Sequence, residues 1–217
     1  MLHLLDLFGT LAFAISGAFR AVRYEMDILG VIALAIVTGI GGGLVRDTLL
    51  GQIPPVALLD QRYFIICIAG ALIVFFAASK IAKRWDYVMT ADAVGLAVFA
   101  SIGCEVALNT GAPPLTAITM AVVTACGGGV IRDLSVNEIP AIFTQDLYAS
   151  AAILGGLVFI ILDLLHISRE LQFLISILAA LVLRGFAMRY RLSLPTVKSL
   201  PESPSKLTHA RRLKDKD

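Results

Sequence analysis

Long apolar segments separated by short polar loops are the feature that most restricts how this chain folds. Each segment has about the 17 to 25 residues that an α-helix needs to cross the hydrocarbon layer of a membrane. Lipid offers the backbone no hydrogen-bond partners, and uninterrupted apolar runs are typical of spanning helices rather than of barrel strands. Seven such segments are predicted, at residues 4–22, 28–49, 62–79, 90–108, 114–134, 147–165 and 171–190.

Composition places the chain among integral membrane proteins. Hydrophobic residues make up 58% of the 217 residues, and the mean hydropathy is +0.87. These values exclude a soluble enzyme, a nucleic-acid-binding module and a disordered chain. Residues 194–217 differ, with three prolines and six Lys or Arg, and are predicted to form a disordered basic cytoplasmic tail.

The distribution of Lys and Arg predicts the orientation of the chain. With the N-terminus outside, the inner loops and helix ends before the tail hold seven basic residues, whereas the outer loops hold only Arg62 and Arg169. Arg46 and Arg132 are set aside in this comparison because they are predicted to lie at membrane depth. The positive-inside rule therefore predicts an outer N-terminus and a cytoplasmic C-terminus.

The chain repeats itself at an offset of 86 residues without a gap. The matches include Asp6 with Asp92, Gly9 with Gly95, and two copies of the motif GGGxxRD. Each copy contains three spans, and an odd number of crossings makes the second copy enter the membrane from the opposite side. The prediction is an all-α membrane protein with two inverted three-helix repeats, at residues 1–86 and 87–170, followed by a seventh helix at residues 171–193.

The glycine triplets lie inside the second and fifth spans. They comprise Gly41, Gly42, Gly43, Gly127, Gly128 and Gly129. Consecutive glycines lose much backbone entropy in a helix, so a kink or a short unwound stretch is expected there, and broken helices at matching positions indicate a permeation or substrate site. Thr38 and Thr124 precede the triplets by one turn, and their hydroxyls either line that path or bond to a carbonyl of the preceding turn.

Charged residues follow each triplet at membrane depth. Arg46 and Asp47 have Arg132 and Asp133 as equivalents in the second repeat. Buried charges are functional candidates, and neighbouring helix positions do not face each other, so we expect pairing across the repeats, Arg46 with Asp133 and Arg132 with Asp47.

The doubled GGGxxRD motif, the repeat and the pattern of three, three and one spans resemble the prokaryotic branch of the trimeric intracellular cation (TRIC) channel family, whose members are also labelled as tandem glycine-transporter-domain proteins. The resemblance covers about residues 1–190. It implies a homotrimer in the bacterial inner membrane with one pore per subunit. It also implies conduction of monovalent cations, chiefly potassium in preference to sodium, along kinked second and fifth helices at Gly41–Gly43 and Gly127–Gly129.

A secondary transporter of glycine or another small amino acid is the alternative, because inverted repeats with broken helices are equally typical of transporters. Arg suits a substrate carboxylate and Asp suits an amine. An enzyme is not expected, since the three histidines are scattered and no nucleophile–base pair or metal cluster is evident. The predicted partners are a second and third copy of the chain, cations and membrane lipids, with no nucleic acid, cofactor or metal site.

Overall fold

The computed structural model describes residues 2–81, 86–144 and 147–190, and the side chains of residues 78–81 and 86–87 are not part of that description. Within these ranges the regular structure is entirely helical, as predicted. The helices are α1 (Leu2–Arg23), α2 (Ile28–Leu49), α3 (Val56–Leu59), α4 (Gln61–Ile81), α5 (Asp86–Asn109), α6 (Pro114–Ser135), α7 (Ala141–Thr144), α8 (Tyr148–Leu164) and α9 (Arg169–Tyr190). The predicted tail at residues 194–217 lies outside the described residues.

Each of the seven predicted spans coincides with one long helix. Five helices are long and apolar enough to cross a membrane, namely α1, α2, α6, α9 and residues 88–109 of α5. The apolar part of α4 at Gln61–Ala77 and the whole of α8 are shorter. The sequence did not predict the two four-residue helices, α3 and α7, in the loops that follow α2 and α6.

Local sequence explains where the two glycine-containing helices begin. The Asp27 carboxylate accepts a hydrogen bond of 2.7 Å from the Gly30 amide and so caps the first turn of α2. Pro113 and Pro114 open α6, where a missing amide hydrogen costs nothing because the first amides of a helix have no partner within it. Each of the two helices therefore begins at a local sequence signal, and its charged RD pair lies near the opposite end, one membrane span away.

The core consists of two hydrophobic clusters that share α1. One cluster lies between α1, α2 and α4, and the other gathers α5, α6, α8 and α9 around Phe13 of α1. Phe13 stacks on Phe99, its equivalent in the second repeat, with ring centroids 5.3 Å apart. Gly9 and Gly95 make room for this stack, because a side-chain carbon at either position would lie within 3.3 Å of a phenyl ring. Equivalent residues of the two repeats thus meet inside the second of these clusters.

The last helix is attached to the second repeat by polar contacts as well as by packing. The hydroxyls of Ser101 and Ser176 are 2.8 Å apart and join α5 to α9. Arg169 at the start of α9 forms an ion pair of 2.9 Å with Glu105 of α5. Glu105 is only 6% exposed. This buried carboxylate of α5 is therefore paired with a charge on α9.

The loops after α2 and α6 keep the same geometry. The Gln52 amide donates to the Asp47 carbonyl at 2.8 Å, and the equivalent Glu138 amide donates to the Asp133 carbonyl at 2.9 Å. The left-handed residue in these turns is Gly51 in one copy and Asn137 in the other, the two residue types that tolerate this conformation best. The 86-residue offset therefore relates backbone structure as well as sequence.

Candidate functional site

The two glycine triplets bring α2 and α6 into backbone contact. A side-chain carbon added to Gly42 would lie 2.2 Å from the carbonyl oxygen of Thr124, and one added to Gly128 would lie 2.2 Å from that of Thr38. The two contacts are equivalent, because the 86-residue offset relates Gly42 to Gly128 and Thr38 to Thr124. Only glycine permits such an approach, because any Cβ would overlap the facing backbone. We refer to this contact between Gly41–Gly43 and Gly127–Gly129 as the glycine crossing.

Of the kink or short unwound stretch expected at the triplets, the unwound stretch is wrong. Both α2 and α6 continue as α-helix through their glycines to Leu49 and Ser135. The expectation of unwinding follows from the low helix propensity of glycine alone and takes no account of the neighbouring helix. Close packing against a facing backbone offsets the entropy that each glycine loses, so the backbone hydrogen bonds of the helix persist.

The threonines before the triplets bond to their own helices. The Thr38 hydroxyl donates to the Leu34 carbonyl at 2.6 Å, and the Thr124 hydroxyl donates to the Met120 carbonyl at 2.6 Å. Both side chains are fully buried. Of the two roles that the sequence left open, the structure therefore shows the bond to the preceding turn.

The predicted pairing of Arg and Asp across the repeats is also wrong. Arg46 binds its neighbour Asp47 through Nε at 2.8 Å and Nη2 at 2.7 Å, and Arg132 binds its neighbour Asp133 through Nε at 2.9 Å. The long arginine stem folds back across the helix surface, a reach that the angle between neighbouring positions does not reveal. All four residues are at most 3% exposed.

Each aspartate of these pairs also caps the loop that follows. The second carboxylate oxygen of Asp47 accepts a hydrogen bond of 3.0 Å from the Val56 amide at the start of α3. Asp133 does the same for the Ala141 amide of α7 at 2.9 Å. The RD motif therefore ties the charged end of the helix to the short helix after it.

The second repeat surrounds its arginine with more partners than the first. Arg132 Nη1 donates to Asp92 at 2.6 Å and to Ser16 at 2.8 Å. In the first repeat, Nη1 of Arg46 has no partner among the described residues. Asp6, the equivalent of Asp92, instead accepts a hydrogen bond of 2.9 Å from the Tyr63 hydroxyl. The two copies of one charge pattern are thus bonded differently.

Arg20 adds a further ion-pair group to the second repeat. It binds Asp133 at 3.1 Å and also contacts Glu138, which accepts a hydrogen bond from the Tyr24 hydroxyl. That carboxylate raises the pKa of Tyr24, because removing the phenolic proton would break the bond and place two anions together. Arg20 is one of the seven basic residues that predict the orientation, and neither it nor Glu138 was predicted as a site residue.

A signal for this group was present in the repeat itself. At the 86-residue offset Arg20 corresponds to Val106, and Glu138 corresponds to Gln52. Both charged residues have uncharged equivalents in the other repeat, so they are not among the residues that match at the offset. Positions that break the repeat are therefore as informative as those that keep it.

A cavity opens beside the charged residues of the first repeat. Its volume is about 320 Å³, and it lies between α1, α2, α4, α5 and the loop after α2. Its polar lining residues are His3, Asp6, Arg46, Gln52, Tyr63 and Asn109. It shares Asp6, Arg46 and Tyr63 with a smaller pocket of about 10 Å³. That pocket reaches Gly39, Gly43 and Phe99, which places it next to the glycine crossing. We refer to these two spaces as the mouth cavity and the inner pocket.

Asp60 is a further acidic residue near the mouth cavity. Arg62 donates to it through its backbone amide and its guanidinium, and these bonds lower the pKa of the Asp60 carboxyl. Its other contact is His3, at 3.5 Å, which lines the cavity. Within the described ranges, no three His, Cys, Asp or Glu residues come together as metal ligands would.

Comparison with known families places this arrangement among membrane proteins. The sequence model described as "Glycine transporter" matches residues 3–79 and 89–163, one stretch in each repeat. A UPF0126 membrane protein of Vibrio cholerae is 41% identical over 197 residues, covering 90% of this chain and 82% of the relative. A UPF0126 inner membrane protein of Escherichia coli is 37% identical over 199 residues, covering 90% and 96%.

Solved structures share the same fold. The crystal structure of the TRIC trimeric intracellular cation channel orthologue from Rhodobacter sphaeroides superposes with a TM-score of 0.85 and 41% sequence identity. The match covers 88% of this chain and 98% of that structure. The fold and the motif therefore point to the same group of proteins.

Proposed function

Because the chain belongs to the TRIC channel family, which the glycine-transporter sequence model also describes, we propose that it is a cation channel of the bacterial inner membrane. The likeness to solved TRIC channels over almost the whole chain is the observation that carries this proposal. The family consists of membrane channels rather than enzymes, so the expectation that the chain is not an enzyme is confirmed.

The proposal includes the finer architecture predicted from the sequence. Three copies assemble as a homotrimer, and each copy holds its own pore for potassium and sodium. Each copy crosses the membrane seven times, with its N-terminus outside, its C-terminus in the cytoplasm, and lipid against its outer face. The exchange of equivalent contacts at Gly42 and Gly128 supports two inverted repeats, since a two-fold relation makes such contacts reciprocal.

The pore is proposed to follow α2 and α6 past the glycine crossing. The mouth cavity and the inner pocket support this course, because together they lead from the end of the bundle to Gly39 and Gly43 of α2. Phe99, which also lines the inner pocket, is stacked on Phe13. Conduction requires the narrow path at the inner pocket to widen. The glycine triplets allow this, because α2 and α6 can shift past each other without interlocking side chains.

Two arginines beside a cation path need an explanation. Arg46 is neutralised by Asp47, and Arg132 by Asp133 and Asp92, so neither presents an unbalanced positive charge to a passing cation. The same ion pairs keep the carboxylates from trapping a cation too tightly. Removing either partner of a pair would therefore change the conductance.

One observation favours the second candidate, a glycine transporter. Nη1 of Arg46 has no partner among the described residues, and Arg46 lines the mouth cavity. A guanidinium with a free donor suits the carboxylate of an amino acid. The transporter proposal predicts that this donor binds glycine, whereas the channel proposal predicts that glycine has no effect on transport.

Planar-bilayer recording of the purified protein in a potassium gradient, with and without glycine, separates the two candidates. A channel gives discrete openings that reverse near the potassium potential and ignore glycine. A transporter gives a silent bilayer and saturable glycine uptake into proteoliposomes. Arg46→Gln is the diagnostic variant, because it abolishes uptake in the second case and only alters conductance in the first.

A further inference from the structure

The first repeat contains a carboxylate whose equivalent in the second repeat is neutralised. Asp92 forms an ion pair of 2.6 Å with Arg132. Among the described residues, Asp6 has no ion pair, and the hydrogen bond that it accepts comes from the neutral hydroxyl of Tyr63. Arg46, its nearest candidate partner by symmetry, is bonded to Asp47. The charged groups lining the inner pocket are Asp6, Asp47 and Arg46, so their formal sum is one negative charge.

A residue with a hydroxyl unpartnered among the described residues lines the same pocket. Thr10 follows Asp6 by one helical turn, which places both residues on one face of α1. Its side chain is 1% exposed, and its Oγ1 has no hydrogen-bond partner in the part of the chain that the structure describes. A buried polar atom is normally satisfied by protein, water or a ligand. The pocket of about 10 Å³ that Thr10 lines has room for one particle of about the size of a water molecule.

We propose that the inner pocket binds one monovalent cation between the Asp6 carboxylate and the Thr10 hydroxyl oxygen. This site rests on the proposed channel function and gives the conducted ion a resting place at the mouth. The single negative charge of the pocket lining matches a monovalent ion, whereas a divalent ion would leave excess positive charge. An anion is disfavoured by Asp6, and a water molecule leaves that charge uncompensated.

The site occurs at one mouth only. At the 86-residue offset Thr10 corresponds to Leu96, which is fully buried, and Asp6 corresponds to Asp92, which Arg132 and Ser16 enclose. The second repeat therefore lacks the hydroxyl and has already neutralised the carboxylate. In the proposed orientation the cation rests on the outer side of the glycine crossing.

Crystals of the full-length protein grown in rubidium chloride test the site directly, because rubidium replaces potassium and scatters anomalously. The expected result is an anomalous peak between Asp6 and Thr10 that is absent from Asp6→Asn and weaker in Thr10→Val. Asp60→Asn is the matched control, since it removes a carboxylate beside the mouth cavity without touching the inner pocket. In solution, Asp6→Asn raises the dissociation constant of rubidium by about tenfold or more, as loss of a charged ligand predicts.

Several results would overturn the site. They are a pocket without anomalous signal, a peak that survives Asp6→Asn and Thr10→Val, and a peak that Asp60→Asn removes equally. Thr10→Val keeps the charge and the side-chain shape, so it remains informative if Asp6→Asn does not fold. Potassium current without a rubidium peak refutes the site and leaves the channel standing, whereas a peak without current refutes the channel alone.

Discussion

Replacing Gly42 by alanine tests whether the glycine crossing is a backbone contact. The added carbon would lie 2.2 Å from the Thr124 carbonyl oxygen, which is 1.2 Å inside the 3.4 Å at which ordinary contact begins. The obstacle is a helix backbone, so α2 and α6 must separate. Overpacking of this kind costs about 1–3 kcal/mol and occasionally more, and we expect the upper end here. The better helix propensity of alanine returns only about 0.5–1 kcal/mol.

Gly43→Ala is the matched control in the same triplet. Its nearest neighbour would be Nη2 of Arg46 at 3.8 Å, an ordinary contact, so propensity alone acts and the variant is as stable as the parent or slightly more so. Unfolding of both variants by sodium dodecyl sulfate in mixed micelles, followed by circular dichroism, measures the difference. A Gly42→Ala free energy of unfolding within about 0.5 kcal/mol of the Gly43→Ala value would refute the crossing.

Two further changes test the polar contacts. Arg132→Gln leaves the buried carboxylate of Asp92 without its charged partner and lowers the free energy of unfolding by about 3–5 kcal/mol. The control Arg62→Gln breaks an exposed pair and changes the free energy of unfolding by less than about 1 kcal/mol. Equal losses in the same unfolding assay would contradict this. Ser101→Ala removes the hydrogen bond to Ser176 and costs about 1 kcal/mol, and faster proteolysis within α9 is the accompanying sign.

Sequence reasoning located the helices well because the membrane leaves few choices. The second span was predicted at residues 28–49, and α2 has those bounds. Hydrophobic length fixes the extent of a span, and Asp27 and the prolines before α6 supply the starts. The all-helical fold could therefore be predicted, whereas α3 and α7 have one turn each and leave no periodic pattern to detect.

The role of the glycine triplets and the RD pairs as the functional site stays a prediction, but the structure tests their contacts. The triplets and the RD pairs were identified, yet the unwinding and the cross-repeat pairing were wrong. Both errors came from treating one helix at a time. The 2.2 Å approach at Gly42 depends on the partner helix, and the fold of Arg46 back onto Asp47 depends on a flexible stem that residue spacing does not describe.

The stacked rings of Phe13 and Phe99 have an evolutionary consequence. A contact between equivalent positions is what two copies of one half-length polypeptide would make on associating about a two-fold axis. In such an ancestor every substitution would alter both ends of the passage at once. In a single chain each end can change alone, and Arg20 opposite Val106 is one such difference.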